Sequence, residues 1–351
     1  MNRRSLLAVW LLAAVLLCGC EVHQFPEPKR GSMLLHLQYE PDFWVWEHRY
    51  DPSLGLVTEN DPDHGVDPDH PGTSARYDAT CGHGTMRTII RAFYPDNLDK
   101  CIREYLFAYD VASGYDRDVE LDLEAGDYVL AIWSDLCERE TDSPYYDASD
   151  FRRLRLLFDE NYSANTDHRD GYRGRIALSL DKSIEVTEPE RFEVTMRRPM
   201  AKFEFITTDL SEFLDNERTR RNLSSRARIE DYRVEIRYAG YLPSSYSIIE
   251  DRLENAATGI RFDTRVQITG ETEASLGFDH VLINDTDQGA VLTEISVYDL
   301  TGERVAHSHQ ISVPLRRDHH TILRGAFFTM QAKGGVGIDP GYDGDHNITY
   351  H

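Results

Sequence analysis

Leu123-Glu124-Ala125-Gly126-Asp127-Tyr128-Val129-Leu130-Ala131-Ile132-Trp133 decides the fold class of this chain. A turn carried by Gly126 and Asp127 opens into Tyr, Val, Leu, Ile and Trp, the residue types that suit a pleated, packed surface. It reads as a core strand entered from a tight turn. Short strand-like runs recur on both sides, at 33–39, 86–94, 105–109, 119–123, 175–180, 185–186 and 192–196. A second set follows at 200–206, 232–238, 261–268, 275–283, 291–298, 303–307, 311–313 and 321–330. Each run is closed by turn residues, as an antiparallel sandwich requires, and no strand-helix-strand alternation supports a parallel sheet. Two stretches read as short helices, 151–160 and 210–223. The second has Phe213 and Leu214 on its apolar side, with Ser211 and Asp209 competing for its N-cap. The expected fold is all-β, two tandem antiparallel β-sandwich domains over 32–198 and 199–332, with a boundary near Arg197 to Pro199. A Gly/Asp-rich tail, 333–351, follows.

Length and charge narrow the function. The 351 residues make about two domains at roughly 150 residues each. With 40% apolar and 11% aromatic residues against 28% charged, the chain can bury real cores and is not globally disordered. The balance of 38 Lys and Arg against 61 Asp and Glu, a net charge of −23, excludes a nucleic-acid binder that tracks phosphates with a basic face.

The first twenty residues carry the address. Arg3 and Arg4 precede an apolar run from Leu6 to Leu17, 12 residues long. At 1.5 Å per residue the run reaches about 18 Å, short of the roughly 30 Å hydrocarbon core, so residues 1–19 read as a secretory signal and not a membrane span. Leu17-Cys18-Gly19-Cys20 resembles the bacterial lipobox, which implies lipid on Cys20. Cys18 fits less well because bulky Leu17 precedes it. The alternative is an ordinary cleaved signal with incidental cysteines. By the lipobox resemblance the mature chain starts at Cys20 with 36 basic and 61 acidic residues, a net −25. Acyl chains, and not electrostatics, would hold such a chain at a membrane. Glu21 in place of Asp gives no inner-membrane retention signal, so outer-membrane or cell-surface placement is expected. Residues 20–31, with Pro26 and Pro28, read as a lipidated tether.

Chemistry is sparse. Cys81, Cys101 and Cys137 remain after Cys20: the odd count leaves at least one free thiol, and a Cys81–Cys101 bridge stays open. Cys137 reads as a small buried hydrophobe, and without CxxC spacing there is no zinc site. In the loop 61–70, Asp61, Asp63, His64, Asp67, Asp69 and His70 form a repeated DPDH that could gather a divalent cation, or be a solvated acidic loop kept open by its prolines. Asp339, Asp343 and Asp345 lack the 12-residue calcium-loop pattern. Cys81-Gly82-His83-Gly84 reads as a turn and not a catalytic pair, and His319-His320 as a solvent-facing turn before the last strand. No GxSxG, HExxH, Walker or GxGxxG element occurs, so no enzyme and no cofactor are expected. Trp44 and Trp46 share a strand face and could fill a core. They could also, with Tyr145 and Tyr146, stack on sugar rings, which keeps a glycan-binding lipoprotein as the alternative function.

Four segments together resemble the fimbrillin superfamily of Bacteroidales, especially its anchor and minor subunits. They are the lipobox ending at Cys20; Leu123 to Leu130; Arg197-Arg198-Pro199-Met200-Ala201-Lys202-Phe203-Glu204-Phe205; and Val313-Pro314-Leu315-Arg316-Arg317-Asp318-His319-His320-Thr321-Ile322-Leu323-Arg324-Gly325. The resemblance implies two transthyretin-like sandwiches in an outer-membrane lipoprotein of type V pili, with other fimbrial subunits as partners and the membrane reached through the N-terminal lipid. In that superfamily, stalk subunits are trimmed by an arginine-specific protease to open a groove and are joined by donated strands, while anchors keep their lipid. Arg30 and Arg49 flank the 33–39 strand as trimming candidates, or are unprocessed surface arginines. The tail, broken by Pro340 and several glycines, is an awkward donor strand. Lipid retention and a poor donor together imply an anchor or accessory role.

Overall fold

A computed structural model describes residues 30–51, 55–58, 74–77, 84–137, 145–158, 162–180, 189–284 and 289–329. Of the deciding stretch, Gly126 to Trp133 lies in β8 (Gly126–Cys137), which is buried on both faces from Tyr128 onward. Leu130, Ile132 and Leu136 enter one core while Ala131 and Trp133 enter another. Burial on both faces explains why the run is continuously apolar and does not alternate with polar residues.

The first core lies between two sheets. One runs β12 (Glu190–Met196), β1 (Arg30–Tyr39), β7 (Arg117–Glu124); the other runs β11 (Gly171–Leu180), β8, β5 (Thr85–Phe93), β6 (Arg103–Asp110). The second sandwich stacks β18 (Gln267–Ile268), β19 (Ala274–Leu282), β13 (Met200–Thr207), β23 (His319–Gly325), β2 (Phe43–Asp51) and β3 (Gly55–Thr58), with β4 (Ser74–Tyr77) also on β2. Its other sheet is β17 (Arg261–Thr264), β14 (Arg233–Tyr238), β20 (Gly289–Tyr298) and β21 (Arg304–His307), with β22 (Ile311–Leu315) also on β20. Phe203, Phe205, Ile236, Ile295 and Leu323 fill the space between them. The boundary at Arg197 to Pro199 falls between β12 and β13. β2 nevertheless crosses it, pairing in parallel with β23 from Trp44 opposite His319 to Tyr50 opposite Gly325. Alternation in a sequence says which face of a strand is buried, not which sheet the strand joins.

A fifth sheet draws on both halves, in the order β16 (Arg252–Thr258), β15 (Tyr241–Ser247), β10 (Leu154–Leu156), β9 (Tyr146–Asp147). Here the helix expected over 151–160 is corrected. Phe151 lies in a turn, and Leu154 and Leu156 alternate into the third core as a strand paired to β15. The β15–β16 hairpin gave no sequence signal because Pro243 interrupts it; the ladder absorbs the proline with register shifts just after it. The second expected helix is present as α1 (Leu210–Arg220), burying Phe213 and Leu214. Asp209 occupies its N-cap position without capping it. Its carboxylate instead accepts from the backbone N–H of Phe328 and Thr329, tying the chain after β23 to the helix start. Among the described residues no helix is long and apolar enough to cross a membrane.

One side chain ties the halves together. The Arg198 side chain is wholly buried between β12 and β13. It donates to both carboxylate oxygens of Asp170 at 2.8–3.0 Å, to Tyr172 Oη at 2.7 Å and to Asp318 at 2.9 Å. Its remaining bonds go to the carbonyls of Glu40, Pro41 and Asp42, the turn in which the chain leaves β1 for β2. Phe43 stacks 3.9 Å from the guanidinium carbon. A buried cation needs this full set of partners, and only a guanidinium offers five donors in a fixed fork. We predict that Arg198→Ala lowers unfolding free energy by about 3–5 kcal/mol and that Arg198→Lys restores only part of it. Denaturant titration checks this; a loss below about 1 kcal/mol would show that the junction does not depend on this residue.

Candidate functional site

The candidate site grows from β1, the first described strand after the sequence-predicted tether. Its residues alternate strictly: Met33, Leu35 and Leu37 are fully buried and Tyr39 nearly so, while Gln38 faces out. The strand occupies the centre of its sheet, parallel to β12 and antiparallel to β7. Tyr39 locks its end: its hydroxyl bonds Ser134 at 2.8 Å and accepts from Tyr109 at 2.9 Å, and its backbone N–H donates to Asp116. β1 therefore plugs the hydrophobic groove of its own sandwich.

A seam opens beside it. β11 and β12 are bridged only at Arg173 and Arg197, whose backbones exchange two 2.8 Å hydrogen bonds. Among the described residues, β11 otherwise pairs with β8 alone and β12 with β1 alone. Beyond the bridge they leave a cleft of about 300 Å³ lined by Gly174, Ile176, Val194 and Thr195. Ile176 and the nearby Phe192 are half-buried. At Gly174 a Cβ would lie 2.5 Å from Met196 Sδ and 3.2 Å from a Val194 methyl, so the glycine leaves room for the side chains of β12. Arg173 and Arg175 brace the wall from outside, bonding Asp251 at 2.5 Å and the Ile249 carbonyl at 3.1 Å, in the turn between β15 and β16. Facing strand edges over apolar residues are what an extended peptide recognises.

The residues singled out in the sequence fall unevenly. Cys20, the tail, and Asp61, Asp63, His64, Asp67, Asp69 and His70 lie outside the described residues. Among the described residues no three His, Cys, Asp or Glu gather as a metal site. Arg30 opens β1 opposite Glu124. Arg49 sits inside β2 between Arg324 and Val57, so cutting there would require β2 to leave its sheet. Cys101 is an exposed thiol outside any disulfide, which resolves the bridge to Cys81 that the sequence left open; Cys137 is buried, its thiol donating to the Thr85 carbonyl. Trp44 and Trp46 are half-buried, with the Trp46 ring 4.6 Å from His48. Tyr146 is buried and donates to the Arg169 carbonyl, while Tyr145 is half-buried.

His319 and His320 do not face solvent. Both are buried in β23, because the turn ends at Asp318, whose φ of 59° is left-handed. His320 Nε2 lies 3.2 Å from Glu204. Behind it His280 is enclosed by Phe43 and Phe278, close to Lys202, Arg169 and Arg198. Sequence reading missed this polar layer. Its pairs, such as Arg169 with Asp279 at 3.3 Å and Lys202 with Asp167 at 2.7 Å, join residues far apart in the chain. Burial holds His48 down to about 4, and lowers His320 and, further, His280.

The model of a family of unknown function, DUF6562, matches residues 61–351. No curated protein matches the chain in sequence. Among solved structures it is similar to a candidate polysaccharide-binding protein (DUF1812) of Bacteroides thetaiotaomicron, at 11% identity and TM-score 0.41, covering 79% of this chain and 80% of that one. A candidate adhesin of the same organism gives 10% and 0.43, covering 81% of each chain. The fimbrial anchor protein Mfa2 of Porphyromonas gingivalis gives 11% and 0.38, covering 79% of this chain and 82% of that one. Scores this low carry no weight for what this chain does.

Two outcomes are expected. Leu35→Ala empties the centre of the first core and lowers stability by about 2–5 kcal/mol in denaturant titration; a smaller loss would mean that β1 is peripheral. The buried imidazoles of His48, His280 and His320 have folded values below the unfolded 6.5, so the unfolded chain takes up protons first. Their contribution is therefore complete above pH 6.5 and declines as pH falls. The unfolding free energy, and with it the melting temperature, should drop from pH 7 to pH 5, and His280→Gln should flatten the free-energy slope by on the order of 1 kcal/mol per pH unit. Equal melting at both pH values would contradict the assignment.

Proposed function

We propose that this chain, which belongs to the DUF6562 family, is a lipid-anchored cell-surface subunit of a fimbrial assembly, an anchor or accessory piece that works by strand pairing and not by catalysis. One observation carries the reading: β1 fills its own sandwich with Met33, Leu35, Leu37 and Tyr39, shortly after the predicted lipid site at Cys20. A stalk subunit of the resembled superfamily must lose its N-terminal segment before its groove can accept a strand. Here a chain kept intact from Cys20 has the groove occupied in cis, so it terminates a polymer and does not extend one. Partner contact falls to the seam between β11 and β12, where edges unpaired among the described residues meet half-buried Ile176. No cofactor enters this mechanism.

A second reading has its own support. Half-buried Trp44 and Trp46, beside His48 on β2, are a small aromatic surface of the kind that stacks on sugar rings. This would make the chain a surface lipoprotein that binds glycan without forming a polymer.

Cross-linking on intact cells, followed by mass spectrometry of the bait and its partners, separates the two. The anchor reading expects an acylated N-terminal peptide at Cys20 and co-captured β-sandwich subunits, with Cys20→Ala releasing the protein from the membrane fraction. A bait whose N-terminus begins after Arg30, or capture of polysaccharide alone, would refute it.

A further inference from the structure

The edges of these sheets are not equally protected. β9 and β18 span two residues each, β17 and β21 four, and β22 carries Pro314. β7 presents an outward acidic row, Asp118, Glu120, Asp122 and Glu124, which repels a like strand. β16 is broken by register shifts against β15 and begins with Arg252 and Glu254. β6 carries charges only at its ends, at Arg103, Glu104 and Asp110, and between them it has no proline and no register shift. It is eight residues long and pairs, among the described residues, only with β5. Its outward residues Glu104, Leu106 and Ala108 are all exposed, with Leu106 at 49%.

The ladder shows which backbone groups on β6 are available. Val111 N–H bonds the carbonyl of Gly84, the residue opposite it in the register that continues from Thr85 opposite Asp110. Hydrogen-bonded pairs in an antiparallel ladder recur every second residue, so odd-numbered residues of β6 turn their N–H and C=O toward β5. Even-numbered residues turn theirs outward. The Asp110 carbonyl is already taken by Ser113 Oγ, which leaves Glu104, Leu106 and Ala108 as the open edge.

We propose that β6 is a homodimer edge, pairing antiparallel with β6 of a second copy about a two-fold axis through Leu106. Three registers keep side chains on matching faces and use the outward groups near this centre. Placing Glu104 opposite Asp110 of the second copy sets like charges against each other in two symmetric positions. Placing Glu104 opposite Leu106 of the second copy sets a charge on the apolar centre. In the remaining register Leu106 meets Leu106 and Glu104 meets Ala108, so three residue pairs each exchange two hydrogen bonds and the exposed leucines bury each other. Glu104 is held in place on that face by Arg91 at 2.6 Å. On the inner face, Tyr105 comes opposite Phe107 of the second copy, extending the stacked pair already present within each strand. A second copy is the occupant that fits because the edge is self-complementary: the outward groups of Glu104, Leu106 and Ala108 pair with the same three of the second copy, and the exposed Leu106 meets itself. The pairing does not depend on the lipid.

The test is sedimentation of the full mature chain at rising concentration, with reductant present because the Cys101 thiol is exposed. A monomer–dimer equilibrium is expected. Ala108→Glu faces Glu104 of the second copy and should weaken the dimer on the order of tenfold, while Ala108→Lys should tighten it. Tyr241→Glu and Tyr241→Lys make the same two charge changes on β15, at a position that is 71% exposed, and should leave the affinity unaltered. Thermal unfolding of each variant reports its folding. A chain that stays monomeric throughout, or a dimer in which position 108 behaves like position 241, overturns the proposal.

Discussion

The structure depends on a buried arginine. Arg198 has no water to solvate it, so its charge is tolerable only while Asp170, Asp318, Tyr172 and three carbonyls surround it. Those partners belong to separate pieces: the turn that carries the chain from β1 to β2, the start of β11, and the turn before β23. None holds the cation alone, and the residue is satisfied only when both sandwiches are assembled. Asp279 extends the same logic, accepting from Tyr162 at 2.9 Å and Tyr238 at 2.6 Å beside Arg169. Polar layers of this kind specify one arrangement, because any slip strands a charge.

From that constraint follow the positions that matter for function. By gripping the carbonyls of Glu40, Pro41 and Asp42, Arg198 fixes where β1 ends and so holds its apolar residues in the first core. Arg197, next in the chain, makes the bridge to Arg173 from which the seam opens. Arg173 and Arg317 both bind Asp251, at 2.5 and 2.7 Å, and so brace that seam against the second sandwich. Strand pairing at such a site would occur on a stiff scaffold, where little conformational entropy remains to be lost on binding.

The sequence made much of this fold legible. Periodic runs such as Leu123 to Trp133 and Met33 to Tyr39 announce strands, because burial on one face or both leaves a direct mark on residue type. What stayed hidden was pairing. Nothing local in Phe43 to Asp51 says that this strand leaves the first sandwich for the second, since its partners lie nearly 280 positions on, at His319 to Gly325. Leu154 and Leu156 read from sequence as part of a helix because two alternating residues are too few to set a period. His319 and His320 looked polar and therefore exposed, yet their neighbours β2 and β13 bury them. Of the candidate site, β1 was visible as a strand and Arg198 stood within a family-like motif. The seam was invisible, because it is made by two strands failing to pair.

In the proposed arrangement partners are met along the edges of β11 and β12 while β1 stays in place. A photo-reactive residue substituted for Ile176 and activated on intact cells tests it most directly. Covalent capture of an extended apolar segment from a second surface protein is the expected result. Capture of β1's own chain alone, or of polysaccharide, would contradict it.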